Sequence, residues 1–303
     1  MTSSPEEPQT GPQWPPAVSD SRSARVPETR PANAELGLAV AAARAGGAVL
    51  MRRLQAGADL EVGYKDARAN LVTAADREAQ RAVTATILAT FPQHLVNGEE
   101  GTAGDPGSSH VWYVDPLDGT TNYAHGVPFF CVSVALRAYG RTVAGAVYDP
   151  LHDELYAAGA ESGATLNGVP LRVSETAGLD RSLVVAQAQT VDPDEIRAYA
   201  RLVERLMLVT GGVRSLGSPA LTLCAIAAGR LDAYCEYAMD AWDIAAGQLI
   251  LERAGGTLTL FDGRPHQSAE RADVVASNSR IHADLIGALR NLGETSADAP
   301  CDH

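Results

Sequence analysis

The sequence predicts an α/β protein built from two closely joined lobes. Three observations carry this. Apolar residues recur at helical spacing in two stretches near the start. The middle alternates like an antiparallel meander. The last third interleaves strands and helices without a strict strand–helix–strand repeat. With 303 residues and 46% hydrophobic content, the chain can bury a sizeable core.

Residues 1 to 32 are rich in Pro, Ser, Glu and Thr and poor in apolar side chains, so they read as a disordered tail in which Trp14 stands out. From Asn33, a plausible helix cap, Leu36, Val40, Ala43, Gly47, Leu50 and Leu54 recur at steps of three and four, which predicts an amphipathic helix. Thr73 with Asp76 three residues on reads as a capping box for a second helix, with the stripe Ala79, Val83, Ile87 and Phe91 and a stop at Pro92. Gly98-Glu99-Glu100 is expected in a loop, and residues 101 to 109 as a mobile Gly/Ser/Pro stretch. Val111 to Val114 is a short strand. Phe129 to Ala138, Thr142 to Tyr148 and Glu154 to Ala157 form the meander, and Asn167-Gly168 signals a hairpin. A lobe boundary is expected near residues 175 to 182, giving lobes over 33–178 and 179–292 and a short tail over 293–303. In the second lobe, strands are expected at Leu183–Gln187, Gly212–Leu216, Leu231–Tyr237, Thr257–Phe261 and Val274–Ser277. Helices are expected at Pro193–Leu208, at Pro219–Ala228 behind a Ser218 cap, at Trp242–Arg253 closed by Gly255, and at Ile281–Leu289.

The most informative stretch is Trp112-Tyr113-Val114-Asp115-Pro116-Leu117-Asp118-Gly119-Thr120-Thr121-Asn122. A strand throws out two carboxylates three residues apart, then a glycine, then hydroxyl and amide groups at a helix start. Asp115 and Asp118 are hard oxygen donors of the kind Mg²⁺ takes together with substrate phosphate. Gly119 lets backbone N–H groups approach an anion. Asp-Pro and Asp-Gly pairs also mark plain turns, so the motif alone does not decide.

The run Asp-Pro-Leu-Asp-Gly-Thr-Thr-Asn resembles the first signature of the inositol monophosphatase family of magnesium-dependent, lithium-sensitive sugar phosphatases. Trp242-Asp243-Ile244-Ala245-Ala246-Gly247, running on to Gly256, resembles the second. Gly98-Glu99-Glu100 resembles a third element, and Lys65 with Leu71-Val72-Thr73-Ala74-Ala75-Asp76 a fourth. The four occur in family order, and the resemblance covers roughly Glu35 to Leu289. It implies alternating α-β-α-β-α layers and a homodimer. It also implies two or three Mg²⁺ ions, held by Glu99, Asp115, the Leu117 carbonyl, Asp118 and Asp243, with Asp115 bridging two of them. Thr120 would orient the attacking water with Glu99 as base, and Asp76 would hydrogen-bond Thr120. Gly119 and Thr120 would hold the phosphate beside Glu99, Leu117 and Asp118. Gly217, Ser218 and Pro219 would flank the sugar ring, and Glu236 would accept hydrogen bonds from its hydroxyls.

Plainer readings stand beside these: Asp76 as a helix cap, Asp243 as a first-turn carboxylate favoured by the helix dipole, Glu236 as an exposed strand residue. His125, His152 and His266 read as surface or loop residues. Asn70 stands where the family has Asp, which weakens an outer third metal position and leaves the inner two. Thr121 and the residues after it are most similar to the inositol type. Histidinol phosphate, fructose 1,6-bisphosphate and 3′-phosphoadenylates are the alternative substrates, and an RNA-polymerase-associated regulator is the alternative of another class.

A net charge of −13 argues against non-specific nucleic-acid or anionic-membrane binding. Cys131, Cys224, Cys235 and Cys301 lack zinc-like spacing. The first three lie in apolar runs and suit a reducing compartment. No 18-residue apolar run is found, so no transmembrane helix is expected, and without a signal-like apolar core a cytoplasmic location is the expectation. The family resemblance implies a small phosphate ester as partner.

Overall fold

The computed structural model describes residues 32–56, 63–64, 71–72, 74–266 and 271–290. Lys65, Asn70, Thr73, both tails and Trp14 lie outside them.

Helix α1 runs Ala32–Gln55 and α2 runs Ala74–Thr90, joined through a two-residue ladder of β1 (Gly63–Tyr64) and β2 (Leu71–Val72). Asn33 therefore lies inside α1 and not ahead of it. By length and composition α1 could span a membrane, but here Ala39, Ala42, Ala43 and Leu50 are fully buried in the protein core.

Eight strands form the first sheet. They are β3 (Leu95–Gly98), β4 (Gly101–Gly104), β5 (His110–Asp118), β6 (Cys131–Ala138), β7 (Arg141–Asp149), β8 (Glu154–Gly159), β9 (Thr165–Leu166) and β10 (Val169–Pro170), in the spatial order β10-β9-β8-β7-β6-β5-β3-β4. The meander is antiparallel as expected, and Asn167 and Gly168 turn the last hairpin with φ of 50° and 81°. The expected mobile stretch is corrected at its start. Gly101–Gly104 pairs antiparallel with β3, and Glu99-Glu100 is the turn between them. Glycine-rich sequence hides a strand because its backbone bonds need no side-chain pattern.

Both faces of this sheet are covered, which the strand alternation explains. Val132, Val134 and Leu136 of β6 face α1 and α2, whereas Cys131 and Ala135 face the opposite core. That core is filled by α5 (Pro219–Ala227), apolar and buried nearly all round, and by the apolar face of α6 (Ala241–Arg253).

A second sheet lies beyond them, ordered β12-β11-β13-β15-β14: β11 (Leu183–Gln187), β12 (Gly212–Arg214), β13 (Ala233–Met239), β14 (Thr257–Leu260) and β15 (Ala272–Ser277). Val185, Tyr234 and Val274 point to α5 and α6, and Val184, Cys235 and Val275 to the outer helices α4 (Pro193–Val209) and α7 (His282–Arg290). The result is the expected α-β-α-β-α stack. His266 lies in a loop, one of the two readings given to it, but it is buried there.

Candidate active site

The site is assembled where β5 ends. Asp115 pairs with Ser133 and Asp118 with Cys131, with the register broken between them. Pro116 supplies no N–H at that break, and Asp115 Oδ1 instead accepts from Leu117 N at 3.0 Å, which fixes the carboxylate against its own turn. Gly119 follows with φ of 95°, a conformation that glycine adopts without strain, and the five-residue helix α3 (Thr120–Ala124) begins.

Asp118 reaches across the molecule. Its Oδ2 accepts from Ser218 Oγ at 2.6 Å, Ala220 N at 2.8 Å and Cys131 Sγ at 3.5 Å. Ser218 is the N-cap residue of α5 as expected, but its hydroxyl serves Asp118, and that carboxylate takes over the helix's free N–H. Asp243 lies in the first turn of α6, with Oδ2 accepting from Asp240 N at 2.8 Å. The plainer first-turn reading of Asp243 therefore holds, and its carboxylate also feels the charges of Asp118 and Glu99.

Glu99 sits in the β3–β4 turn, where its N–H donates to Val114 O at 3.0 Å. Gly98 has no room for a side chain, because a Cβ there would lie 1.9 Å from the Gln80 amide of α2. Gln80 Nε2 also donates to Gly101 O at 3.3 Å, so α2 supports the turn from below. From the same helix, buried Asp76 receives the Thr120 hydroxyl on Oδ1 at 3.0 Å, and the Leu117 carbonyl lies equally close to that hydroxyl.

These carboxylates sense one another. Burial raises Asp115 well above the ordinary carboxylate range, and the charges of Glu99, Asp118 and Asp243 raise it further. Asp243, partly exposed at its edge, is raised by desolvation and by Asp118 and Glu99. Asp118 is pushed up to about 7 by burial, against the pull of its hydrogen bonds. Four acidic side chains from three separate stretches therefore share one low-dielectric space. As they stand, no three His, Cys, Asp or Glu side chains among the described residues are drawn in tightly enough to grip an ion. The donor set is nonetheless hard oxygen throughout, and like charges held together by the fold fit a divalent cation such as Mg²⁺.

On the other side of the loop Leu216-Gly217-Ser218 lies Glu236 of β13. It is 2% exposed, which rules out the exposed-strand reading. Tyr234 donates its hydroxyl to it, and burial pushes it up to about 7. Pro219, the first residue of α5, is buried behind the loop. His125 and His152 are exposed and take no part. A separate cleft of about 490 Å³ between the β6–β7 hairpin and α6, lined by Arg137, Arg141 and His266, contains none of the expected site residues.

Three side chains at the site had no role assigned from sequence. Asn122 Nδ2 donates to Phe129 O and Leu216 O, both at 2.7 Å. Gln187 Oε1 accepts from Gly217 N at 2.9 Å. Tyr234 completes the set. Asn122 closes the quoted motif and so carried a signal. The other two sit in ordinary strand patterns.

The family model for the inositol monophosphatase family matches residues 34–294. The chain belongs to the inositol monophosphatase family. It is 38% identical over 235 residues to an inositol-1-monophosphatase of Synechocystis sp., covering 76% of this chain and 80% of that protein. It is 36% identical over 260 residues to the Nus factor SuhB of Pseudomonas aeruginosa, covering 84% and 95%. Among solved structures, inositol monophosphatase from Anabaena (Nostoc) sp. superposes with a TM-score of 0.76 at 39% identity, covering 86% of this chain and 96% of that one. The extragenic suppressor protein suhB of Bartonella henselae superposes with a TM-score of 0.79 at 34% identity, covering 85% and 98%. Inositol monophosphatase family membership thus agrees with both the layered fold and the acidic site.

Proposed function

We propose that this chain is a cytoplasmic, homodimeric phosphomonoesterase that hydrolyses inositol 1-phosphate or a related polyol phosphate to the alcohol and phosphate. The observation that carries this reading is the convergence of Glu99, Asp115, Asp118 and Asp243 beside the Thr120–Asp76 hydrogen bond. Glu99, Asp115, Leu117 O, Asp118 and Asp243 would hold Mg²⁺, which when bound offsets phosphoryl charge and acidifies water. The chain's own residues do the rest. Thr120 gives its one proton to Asp76, which leaves its lone pairs to accept a hydrogen bond from the attacking water. Glu99 removes the water's other proton as general base. Backbone N–H groups at Gly119 and Thr120 hold the phosphate, and Glu236 accepts from ring hydroxyls. The test is phosphate release from inositol 1-phosphate, histidinol phosphate, fructose 1,6-bisphosphate and 3′-phosphoadenylate, with Mg²⁺ and with excess chelator. Release of inositol that stops with chelator is the expected result, and release that persists refutes the metal reading.

A second reading rests on the relatives named Nus factor SuhB: the chain acts as such a factor, bound to RNA polymerase. Co-purification of the polymerase with an Asp115→Asn variant would favour that role independently of hydrolysis.

A further inference from the structure

The loop Leu216-Gly217-Ser218 is fixed at three successive points. Asn122 holds the Leu216 carbonyl, Gln187 holds the Gly217 N–H, and the Ser218 hydroxyl is held by Asp118. Two of these anchors belong to the phosphate and metal side. The third does not. Gln187 lies on β11 directly opposite Glu236 in the parallel β11–β13 register, and both side chains are buried. With Oε1 taken by Gly217, the amide nitrogen is committed to the other side, where it completes no hydrogen bond among the described residues. It nevertheless lies near enough to Glu236 to favour the carboxylate form. A buried amide nitrogen left without an acceptor is destabilising, and the Gly217 anchor uses only the amide oxygen, so neither packing nor that anchor accounts for the nitrogen. Gln187 therefore calls for a reason other than packing.

We infer that Gln187 is a positioning residue for substrate selectivity, joining Gly217 of the loop beside the phosphate site to Glu236. It fixes how far from the phosphate a substrate hydroxyl must stand to be bound. The ligand class is a phosphate monoester of a polyol whose free hydroxyl donates to Glu236. This inference rests on the polyol-phosphatase reading above and names a residue which that reading does not use.

Gln187→Glu tests it. One carboxylate oxygen can still accept from Gly217 N–H, while the other sets a like charge against Glu236. KM for inositol 1-phosphate should rise about 10-fold or more, the scale of one lost charge-assisted hydrogen bond, with kcat little changed. Phenyl phosphate offers no hydroxyl to Glu236, so its kcat/KM should stay within about 2-fold of wild type. Gln187→Leu removes the Gly217 anchor as well. It should raise KM for inositol 1-phosphate more than for phenyl phosphate, and it supplies the same comparison if the Glu variant does not fold. Equal losses on both substrates, or no loss on either, overturn the inference. Wild-type protein that cleaves phenyl phosphate but no polyol phosphate overturns the substrate reading and the inference with it. Wild-type protein that cleaves neither overturns the phosphatase reading itself.

Discussion

Asp118→Asn should make the metal-free protein more stable and the enzyme nearly inactive. In the folded chain the Asp118 carboxyl is pushed from 3.8 to about 7. That difference corresponds to on the order of 4 kcal/mol for holding the group ionised. Asparagine removes the charge and keeps an oxygen that Ser218 Oγ and Ala220 N can still reach. Because the folded value lies above the unfolded one, the wild-type group's contribution is fully present below about pH 4 and is lost as pH rises through about 7. The advantage of the variant should therefore be absent near pH 4 and full by pH 8, where about 2–4 °C per kcal/mol gives a rise in Tm of several degrees. Scanning calorimetry in chelator at pH 4, 6 and 8 reads this directly. Adding Mg²⁺ should raise the wild-type Tm more than that of the variant, which keeps Glu99, Asp115, the Leu117 carbonyl and Asp243, and the variant's kcat should fall at least about 100-fold with one ligand charge removed. A variant less stable than wild type at pH 8 in chelator would refute the reasoning, because the hydrogen bonds would then outweigh the buried charge.

Thr120→Val keeps shape and removes the hydroxyl, so kcat should drop about 100-fold or more, and Asp76→Asn combined with it should add little, since the two act as one unit; full additivity in steady-state kinetics would separate their roles. Asn122→Ala strands the carbonyls of Phe129 and Leu216 and should destabilise the fold by about 1–3 kcal/mol in urea unfolding; an unchanged midpoint would mean that water replaces it fully. His94 is buried with Nδ1 accepting from Trp112 Nε1 at 3.0 Å, and burial, then His110, holds its pKa below the ordinary 6.5. Its contribution is present above pH 6.5 and lost as pH falls through the lower folded value, so the urea midpoint should decline from pH 7.5 to 5.5, with part of that slope absent in His94→Gln. A slope identical in the two proteins would assign it to other groups.

The elements that sequence pattern reveals are those with a repeating side-chain contrast. α2 announces itself through Ala79, Val83 and Ile87, each fully buried, and β6 through alternating residues that divide between two cores. β4 escaped because Gly101 and Gly104 carry no contrast. At the site, the acidic residues were legible because their motifs are short and local. What joins them was not. Ser218 meets Asp118 across 100 residues, and Gln187 meets Glu236 only because β11 lies beside β13 in the sheet. Such pairings are a property of topology, and no spacing within one stretch encodes them.

The general base proposed here stands at the rim of the large sheet. β4 is the outermost strand, it is mostly exposed, and its ladder runs only to β3. Partial opening of that margin would loosen the turn that carries the Glu99 side chain, although its N–H stays tied to Val114 of β5, while the cores around α1, α2, α5 and α6 stayed intact. Catalysis should then fade at a lower denaturant concentration than the bulk far-ultraviolet signal. Amide hydrogens of Thr102 and Ala103 should exchange well before those of Val132 and Val134. The working part of this molecule would be its first to fray, and binding of substrate across the site would be what holds the margin shut.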